Sequence, residues 1–371
     1  MKAVLLVGGE GTRLRPLTYF APKQMLPIVG VTMLERVMTA LAAHGVTEAV
    51  LSLGYFPQAF TQAFPHGEVA GVSVTYAVEP SPLDTAGAIG FAARHAGIDD
   101  TFLVVNGDVL TDLNVTALVD FHRSRGAEAT IALHPVEDPS RFGVVPTHPD
   151  GRVIAFIEKP PREEAPTNLI NAGTYVCEPD ILDRIPEGQK ISVERVIFPQ
   201  LVADNKLYAL ADDTYWLDTG TPAAYLQANR DVLEGRRRQG APSPLSGSSW
   251  IATDAQVDAT AVISGSAIDR GSVVAAGAQV INSVIFPGVT IGPGARIVDS
   301  IIGPDVVVGE QSYLGPTCVI GRGEKISARS SYEGDMRMGV APLGSWSPVP
   351  PDSSDRPPRR CCWTTATRSS P

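Results

Sequence analysis

Three observations predict the fold. Strand and helix signals alternate up to residue 232, a glycine-rich loop follows directly on the first strand, and aliphatic residues recur at six-residue steps from residue 251. Together they predict an α/β protein with a Rossmann-like, mostly parallel sheet unit over residues 1–232. A linker follows at 233–248, then a left-handed parallel β-helix of hexapeptide repeats over 249–328. At 371 residues the chain is long enough for two units, each with its own core.

The first strand sets the frame. Val4-Leu5-Leu6-Val7 is an apolar run of the character of a buried parallel strand. It breaks into Gly8-Gly9-Glu10-Gly11-Thr12-Arg13-Leu14-Arg15. Glycines there allow positive φ and close approach of backbone to a ligand. Successive backbone N–H groups in such a turn form an anion nest, and the Arg13 fork matches phosphate oxygens. Parallel sheets bind ligands at the carboxyl ends of their strands, so the loop reads as a phosphate cradle. It is neither a P-loop, which needs Gly-Lys-Ser/Thr, nor a dinucleotide fingerprint, whose third glycine is Leu14 here.

Downstream, Thr32 caps a helix whose apolar face is Leu34, Val37, Met38 and Leu41, and Gly45 stops it. Ala49 to Leu53 and Val72 to Val78 read as strands, Thr85 to Ala96 as a helix and Thr101 to Val105 as a strand. Asn114 caps a helix that runs to Gly126, and Ala127 to Val136 is a strand. Ser192 caps a structural helix, and Thr221 caps another with Pro222 at its first position. Within this frame Lys23, flanked by Pro22 and Pro27, reads either as a solvated lysine, the commoner case, or as a point charge for a phosphate in the transition state. Asp108 ends the apolar strand Phe102-Leu103-Val104-Val105 and Asp218 ends Tyr215-Trp216-Leu217. Carboxylates at strand ends face the ligand crevice, although an Asn-Gly-Asp turn is the commoner use of residues 106–108.

The segments Gly8-Gly9-Glu10-Gly11-Thr12-Arg13-Leu14-Arg15-Pro16-Leu17-Thr18 and Pro22-Lys23-Gln24-Met25-Leu26-Pro27 resemble the signature of the sugar-1-phosphate nucleotidyltransferases. The resemblance extends over nearly everything before residue 328. It implies an enzyme in which a sugar 1-phosphate attacks the α-phosphorus of a nucleoside triphosphate and pyrophosphate leaves. Arg13, Lys23 and Lys159 become the catalytic cations. The implied nucleotide contacts are Leu6, Gly8, Gly9, Gly11, Thr12, Arg13, Glu79, Thr85, Gly87, Asn106 and Asp108. On the sugar side stand Gly143, Glu158, Lys159 and Asn171, with Gly143 leaving room for a ring. Asp108 and Asp218 would hold one Mg²⁺. Many relatives have glycine where this chain has Asp84, which puts the local backbone in question.

Charge arithmetic agrees with a metal. A nucleoside triphosphate and a sugar phosphate bring about five to six negative charges. Three cations offset about half, and a divalent ion offsets most of the remainder. Within the family, the Glu79-to-Gly87 segment and the general match favour GTP and mannose 1-phosphate, giving GDP-mannose. Glucose 1-phosphate with thymidine, uridine or adenosine triphosphate is the alternative pair. A non-catalytic regulatory subunit of such an enzyme is the alternative of another class, but such relatives commonly lose the charged positions that stand here.

Composition narrows the remaining classes. A net charge of −10 argues against a nucleic-acid partner. No apolar run has membrane-spanning length and residues 3–7 are too short for a signal peptide, so a cytoplasmic protein is expected. Cys177, Cys318, Cys361 and Cys362 lack metal-ligand spacing. The repeat itself is carried by Ile251, Val257, Ile263, Ile268, Val274, Val280, Ile285, Ile291, Ile297, Ile302, Val308, Leu314, Ile320 and Ile326. The resemblance implies that this unit forms homo-oligomers. From Arg329 the pattern stops, and the Pro-, Ser- and Arg-rich stretch 329–371 reads as disordered, as a shifted reading frame would produce.

Overall fold

The computed structural model describes residues 1–237 and 245–340. The first unit runs β1 (Lys2–Leu6), β2 (Pro27–Ile28), β3 (Val31–Thr32), α1 (Met33–Ala43), β4 (Glu48–Leu53), α2 (Pro57–Ala63), β5 (Glu68–Val69), β6 (Val72–Val78) and α3 (Asp84–His95). It continues with β7 (Phe102–Asn106), β8 (Val109–Thr111), α4 (Val115–Arg125), β9 (Ala129–Pro135), β10 (Gly143–Val144), β11 (Ile157–Glu158) and β12 (Leu169–Cys177). α5 (Phe198–Ala203), β13 (Leu207–Ala211), β14 (Trp216–Asp218) and α6 (Pro222–Leu233) complete it.

The caps expected from the sequence form. Thr32 Oγ1 accepts from Glu35 N at 3.2 Å while Glu35 Oε2 accepts from Thr32 N at 3.0 Å, a reciprocal capping box. Asn114 Oδ1 accepts from Ala117 N, and Thr221 Oγ1 from Ala224 N. The helical turns after Ser192 open as a π-turn over Val193–Ile197 before α5.

The sheet is mixed, with a parallel centre. β6, β4, β1 and β7 are parallel neighbours, and β12 then pairs antiparallel with β7 and carries β9 and β10 beside it. Side chains alternate between two faces. Ala3, Leu5 and Val7 join the core beneath α1, α4 and α6, while Val4, Val50 and Val104 join the one beneath α3 and α5.

The second unit is the expected β-helix, three parallel sheets arranged as the sides of its coils. Eleven of the fourteen repeat positions are buried in its core, and Ile251, Val257 and Ile263 pack against it from the first coil. A serine ladder runs beside them: Ser266 N, Ser283 N and Ser300 N each donate to the serine Oγ seventeen residues earlier, and Cys318 N to Ser300 Oγ.

Two boundaries differ from expectation. The β-helix does not end at 328: Ser331–Tyr332 pairs with Tyr313–Leu314, and Arg337–Met338 with Val319–Ile320. Tyr332 and Met338 continue the six-residue step after Ile326 and pack on the same core, but neither is an aliphatic. At the other end, Leu245–Ser246, inside the expected linker, pairs antiparallel with Ser249–Ile251 over the open first coil. Residues 341–371, where disorder and a shifted frame are expected, lie outside the described residues, as do 238–244. Among the described residues no helix is long and apolar enough to cross a membrane.

One β-helix sheet faces the first unit. Val284, Phe286, Ile301 and Val319 belong to the same core cluster as α1 and α6. Trp250 covers Gly30, where an added Cβ would lie 2.2 Å from the indole.

The serine ladder makes a measurable contribution. Ser283 Oγ accepts from Ser300 N at 3.1 Å and donates to Ile281 O at 2.7 Å. Alanine there strands a buried N–H, so Ser283→Ala is expected to cost about 1–3 kcal/mol, read as a lower urea midpoint at unchanged slope. An unchanged midpoint would mean that water replaces the ladder freely.

Candidate active site

The loop after β1 is built from contacts that each residue type dictates. Gly8 lies against Gly54, with Cβ space of only 3.1 Å, whereas an added Cβ at Gly9 would meet nothing within 4 Å. Gly11 has φ +62°, and its carbonyl takes Leu14 N and the buried Thr18 hydroxyl. This closes the short turn Thr12–Leu14 that presents Arg13. Arg15 turns aside to Glu10 at 2.7 Å and to the ring of Tyr19. Leu6 contributes its carbonyl, which accepts from Gly107 N at 3.1 Å.

Asp108 and Asp218 come together through the backbone. Asp218 stands opposite Val109 in the β8–β14 pair, and Thr219 donates to Asp108 O from its N–H at 3.2 Å and its hydroxyl at 2.8 Å. Each carboxylate holds one of the expected cations. Lys23 Nζ donates to Asp108, both largely buried, and Arg13 Nη2 lies 3.8 Å from Asp218. Gly220 makes room for that approach, since a Cβ there would stand 2.4 Å from the guanidinium. The third cation, Lys159, lies 3.0 Å from Glu158 Oε1. Among the described residues no three His, Cys, Asp or Glu side chains cluster as a metal site. Two carboxylates with phosphate oxygens are the donor set that Mg²⁺ takes, so the residues present fit that ion.

Asn106, among the expected nucleotide contacts, and the expected sugar-side positions lie across adjacent strands. Asn106 packs against Gly173, where φ is +77° and a Cβ would meet the amide at 2.6 Å. Asn171 is satisfied internally: Oδ1 accepts from Gly173 N and Nδ2 donates to Tyr175 OH, both at 2.9 Å. Gly143 pairs with Glu158, but the room it leaves is filled by the chain's own Phe156 ring at 2.4 Å from an added Cβ. The same Cβ would lie 3.2 Å from Glu158 Oε2, so Gly143 lets both Phe156 and Glu158 pack close to its backbone.

The Glu79-to-Gly87 segment is more structural than expected. Glu79 accepts from Ser52 Oγ at 2.9 Å and Leu83 N at 3.0 Å, and its Oε1 borders the Gly8 position. Thr85 donates to Glu194 Oε2 at 2.6 Å and accepts from Val193 N, and a Cβ at Gly87 would meet Gln189 O at 2.5 Å. What the structure gives Thr85 and Gly87 is packing against residues 189–194. Asp84 has φ +59°, the conformation glycine adopts most easily.

Sequence reasoning missed Thr219 and Gly220, although both lie in the Asp218-Thr219-Gly220-Thr221-Pro222 run. It also missed the strain at Lys159, whose φ is +50° and whose N–H is held by Phe142 O at 3.0 Å.

Comparison with known proteins gives the site its context. Residues 2–235 match the family model described as nucleotidyl transferase, and residues 245–335 match the GMPPB C-terminal domain. The chain is 43% identical over 281 residues to a mannose-1-phosphate guanylyltransferase of Mycobacterium tuberculosis, covering 75% of this chain and 76% of that one. It is 40% identical to the mannose-1-phosphate guanylyltransferase catalytic subunit beta of Dictyostelium discoideum, over 61% and 63% of the two chains. Among solved structures, HddC from Yersinia pseudotuberculosis complexed with GMP-PN superposes with a TM-score of 0.53 at 29% identity, covering 62% of this chain and 98% of that one.

A lysine in the left-handed region costs about 1–2 kcal/mol, and glycine returns about 0.5–1 kcal/mol of that as backbone entropy. The exposed Lys159–Glu158 pair contributes little against this. Lys159→Gly is therefore expected to raise the thermal midpoint by about 1–4 °C. A midpoint that falls instead would remove the strain.

Proposed function

The chain belongs to the nucleotidyl transferase family, and on that premise we propose that it transfers the guanylyl group of GTP to mannose 1-phosphate, giving GDP-mannose and pyrophosphate. The observation that carries the chemistry is the set of three cations, Arg13, Lys23 and Lys159, each held on a carboxylate at the ligand-facing end of the strands. The choice of base and sugar is supported by the names of the relatives at 43% and 40% identity and by the GMP-PN complex of the HddC neighbour.

The residues divide the work by position. The loop Gly8–Arg13 cradles the triphosphate, and Lys23 lies where it can transfer from Asp108 to the α-phosphate. Lys159 orients the phosphate of the sugar, and Glu158 accepts from sugar hydroxyls. Asn171 borders that side, and Asn106 belongs with the nucleotide contacts. The sugar phosphate oxygen forms the new bond to the α-phosphorus as the bond to the β-phosphate bridge breaks, and pyrophosphate leaves with the electron pair. The nucleophile is already charged, so no protein nucleophile is required, and positioning with charge stabilisation supplies the acceleration. Held by Asp108 and Asp218, Mg²⁺ would neutralise charge and polarise the α-phosphoryl group.

Glu79 has lone pairs beyond its two scaffold bonds, and they suit the N1–H and 2-amino group of guanine. Self-association through the β-helix belongs to the same proposal. Val262 and Val307, exposed on the two sheets turned away from the first unit, are where a second copy would seat.

Pyrophosphate release, measured with Mg²⁺ across four nucleoside triphosphates and several sugar 1-phosphates, tests the reading. Release confined to GTP with mannose 1-phosphate is the expected result. Another productive pair would keep the chemistry and replace the base or sugar, and silence from folded protein would favour a regulatory subunit. Asp108→Asn is expected to lower turnover by about 10²-fold or more in protein that still folds, with a lowered thermal midpoint because Lys23 loses its shielded partner; wild-type turnover would remove Asp108 from the metal set.

A further inference from the structure

The last described coil of the β-helix reaches the loop that presents Arg13. Arg337 Nη1 donates to Arg13 O at 2.7 Å and approaches Arg15 O at 3.5 Å, while its Nε is held by Asp335 Oδ1 at 3.1 Å. Two glycines of the same sheet let the coil come this close. A Cβ at Gly339 would lie 2.6 Å from Pro16 Cβ, and one at Gly321 would lie 3.1 Å from it. Arg322 adds its guanidinium over the ring of Phe20 at 5.9 Å. Arg13, Arg15, Pro16 and Phe20 thus each meet the end of the β-helix.

The bond falls at a mechanically sensitive place. Within the short turn Thr12–Leu14, Gly11 O accepts from Leu14 N and Thr12 O from Arg15 N. Arg13 O is the next carbonyl along, and Arg337 caps it as basic side chains cap the last carbonyls of helices. The residue whose carbonyl is held is the one whose guanidinium approaches Asp218. Fixing the peptide plane after Arg13 limits the directions its side chain can take.

We propose that Arg337 is a positioning residue for the nucleotide: the final coil of the β-helix sets the direction of Arg13 by capping its carbonyl, so the second unit is part of the nucleotide site's outer wall. The proposal rests on the nucleotide-binding role of Arg13 argued above. It differs from a purely architectural role of the β-helix in where its loss is felt. Removing the cap should loosen residues 11–20 and weaken nucleotide engagement while leaving the sugar side and the fold as they were. The Arg337 side chain is partly exposed, so its truncation opens no core.

The test compares wild type, Arg337→Ala and Arg296→Ala, the last a control over Tyr313 on a sheet turned away from the first unit. Amide hydrogen exchange of the substrate-free protein reads the loop directly and does not depend on which substrates the enzyme uses. We expect faster exchange confined to peptides covering residues 11–20 in Arg337→Ala. Alongside it, KM for GTP should rise about three- to tenfold, with KM for mannose 1-phosphate and the thermal midpoint unchanged. The control should match wild type in every reading. Unchanged exchange over 11–20 would overturn the proposal, and so would faster exchange spread through the β-helix with a lowered midpoint. Wild-type protein that turns over no substrate pair would count against the assigned function, while the exchange result would still decide the fate of the cap.

Discussion

The ion pair between Lys23 and Asp108 is the constraint on which the rest of the site turns. Its members are 85 residues apart, and both side chains are mostly shielded from water. A cation and a carboxylate in that setting need each other, because either one alone would bear an uncompensated desolvation cost. The fold supplies the pairing with backbone. β7 runs parallel beside β1, so the turn at Asn106-Gly107-Asp108 emerges next to the loop that carries Lys23. The β8–β14 pair then lays Asp218 alongside, and Thr219 ties the two strands by binding Asp108 O twice. Arg13 and Asp218 repeat the arrangement one step further out, and Lys159 with Glu158 repeats it on the sugar side.

The β-helix supports this arrangement from outside. Its inner ladder of aliphatics, each contributing about 1.5–3 kcal/mol on full burial, makes it a rigid rod. The rod is then merged with the first unit by a shared core in which Phe286 stands 6.3 Å from Tyr225. From Trp250 over Gly30 at one end to Gly339 against Pro16 at the other, one sheet touches successive parts of the first unit. A loop rich in glycine has little rigidity of its own, and here its far side is held by a structure that has a great deal.

How much of this was legible depends on whether the signal was local. Thr32, Asn114 and Thr221 announced their helices because a cap is written within four residues. The hexapeptide period announced the β-helix, but its end was misplaced because Tyr332 and Met338 fill inward positions without being aliphatic. The direction of β12 was not legible, since an apolar run reads the same whether its neighbour is parallel or antiparallel. Glycines were the least legible. Gly143 gave no hint that Phe156 packs against it, and Gly220 none that it clears a path for Arg13. These roles depend on which side chain arrives from a distant strand. Asp108 and Asp218, by contrast, were read from their position at strand ends, a rule of topology that needs no knowledge of the partner, whereas the roles of Lys159 and Glu158 rested on the resemblance alone.

The paired state of the site has a consequence for how ligands must enter. With Arg13, Lys23 and Lys159 each matched to a carboxylate, this part of the protein is close to neutral. Two phosphorylated ligands bring about five to six negative charges. Freeing the three cations for phosphate leaves three carboxylates unmatched, so rearrangement alone only moves the imbalance. On the proposed function, a divalent cation held by Asp108 and Asp218 would offset two of those charges, satisfying both carboxylates while freeing Lys23 and Arg13 for phosphate. The left-handed backbone at Lys159 fits the same logic. Strain of this kind persists where the surroundings over-determine a conformation, and here the Phe142 carbonyl holds the residue proposed to face the second phosphate. On the proposed function, metal, nucleotide and sugar phosphate would be coupled through the exchange of partners among six side chains, and positioning, rather than the reactivity of any one group, would be the fold's contribution.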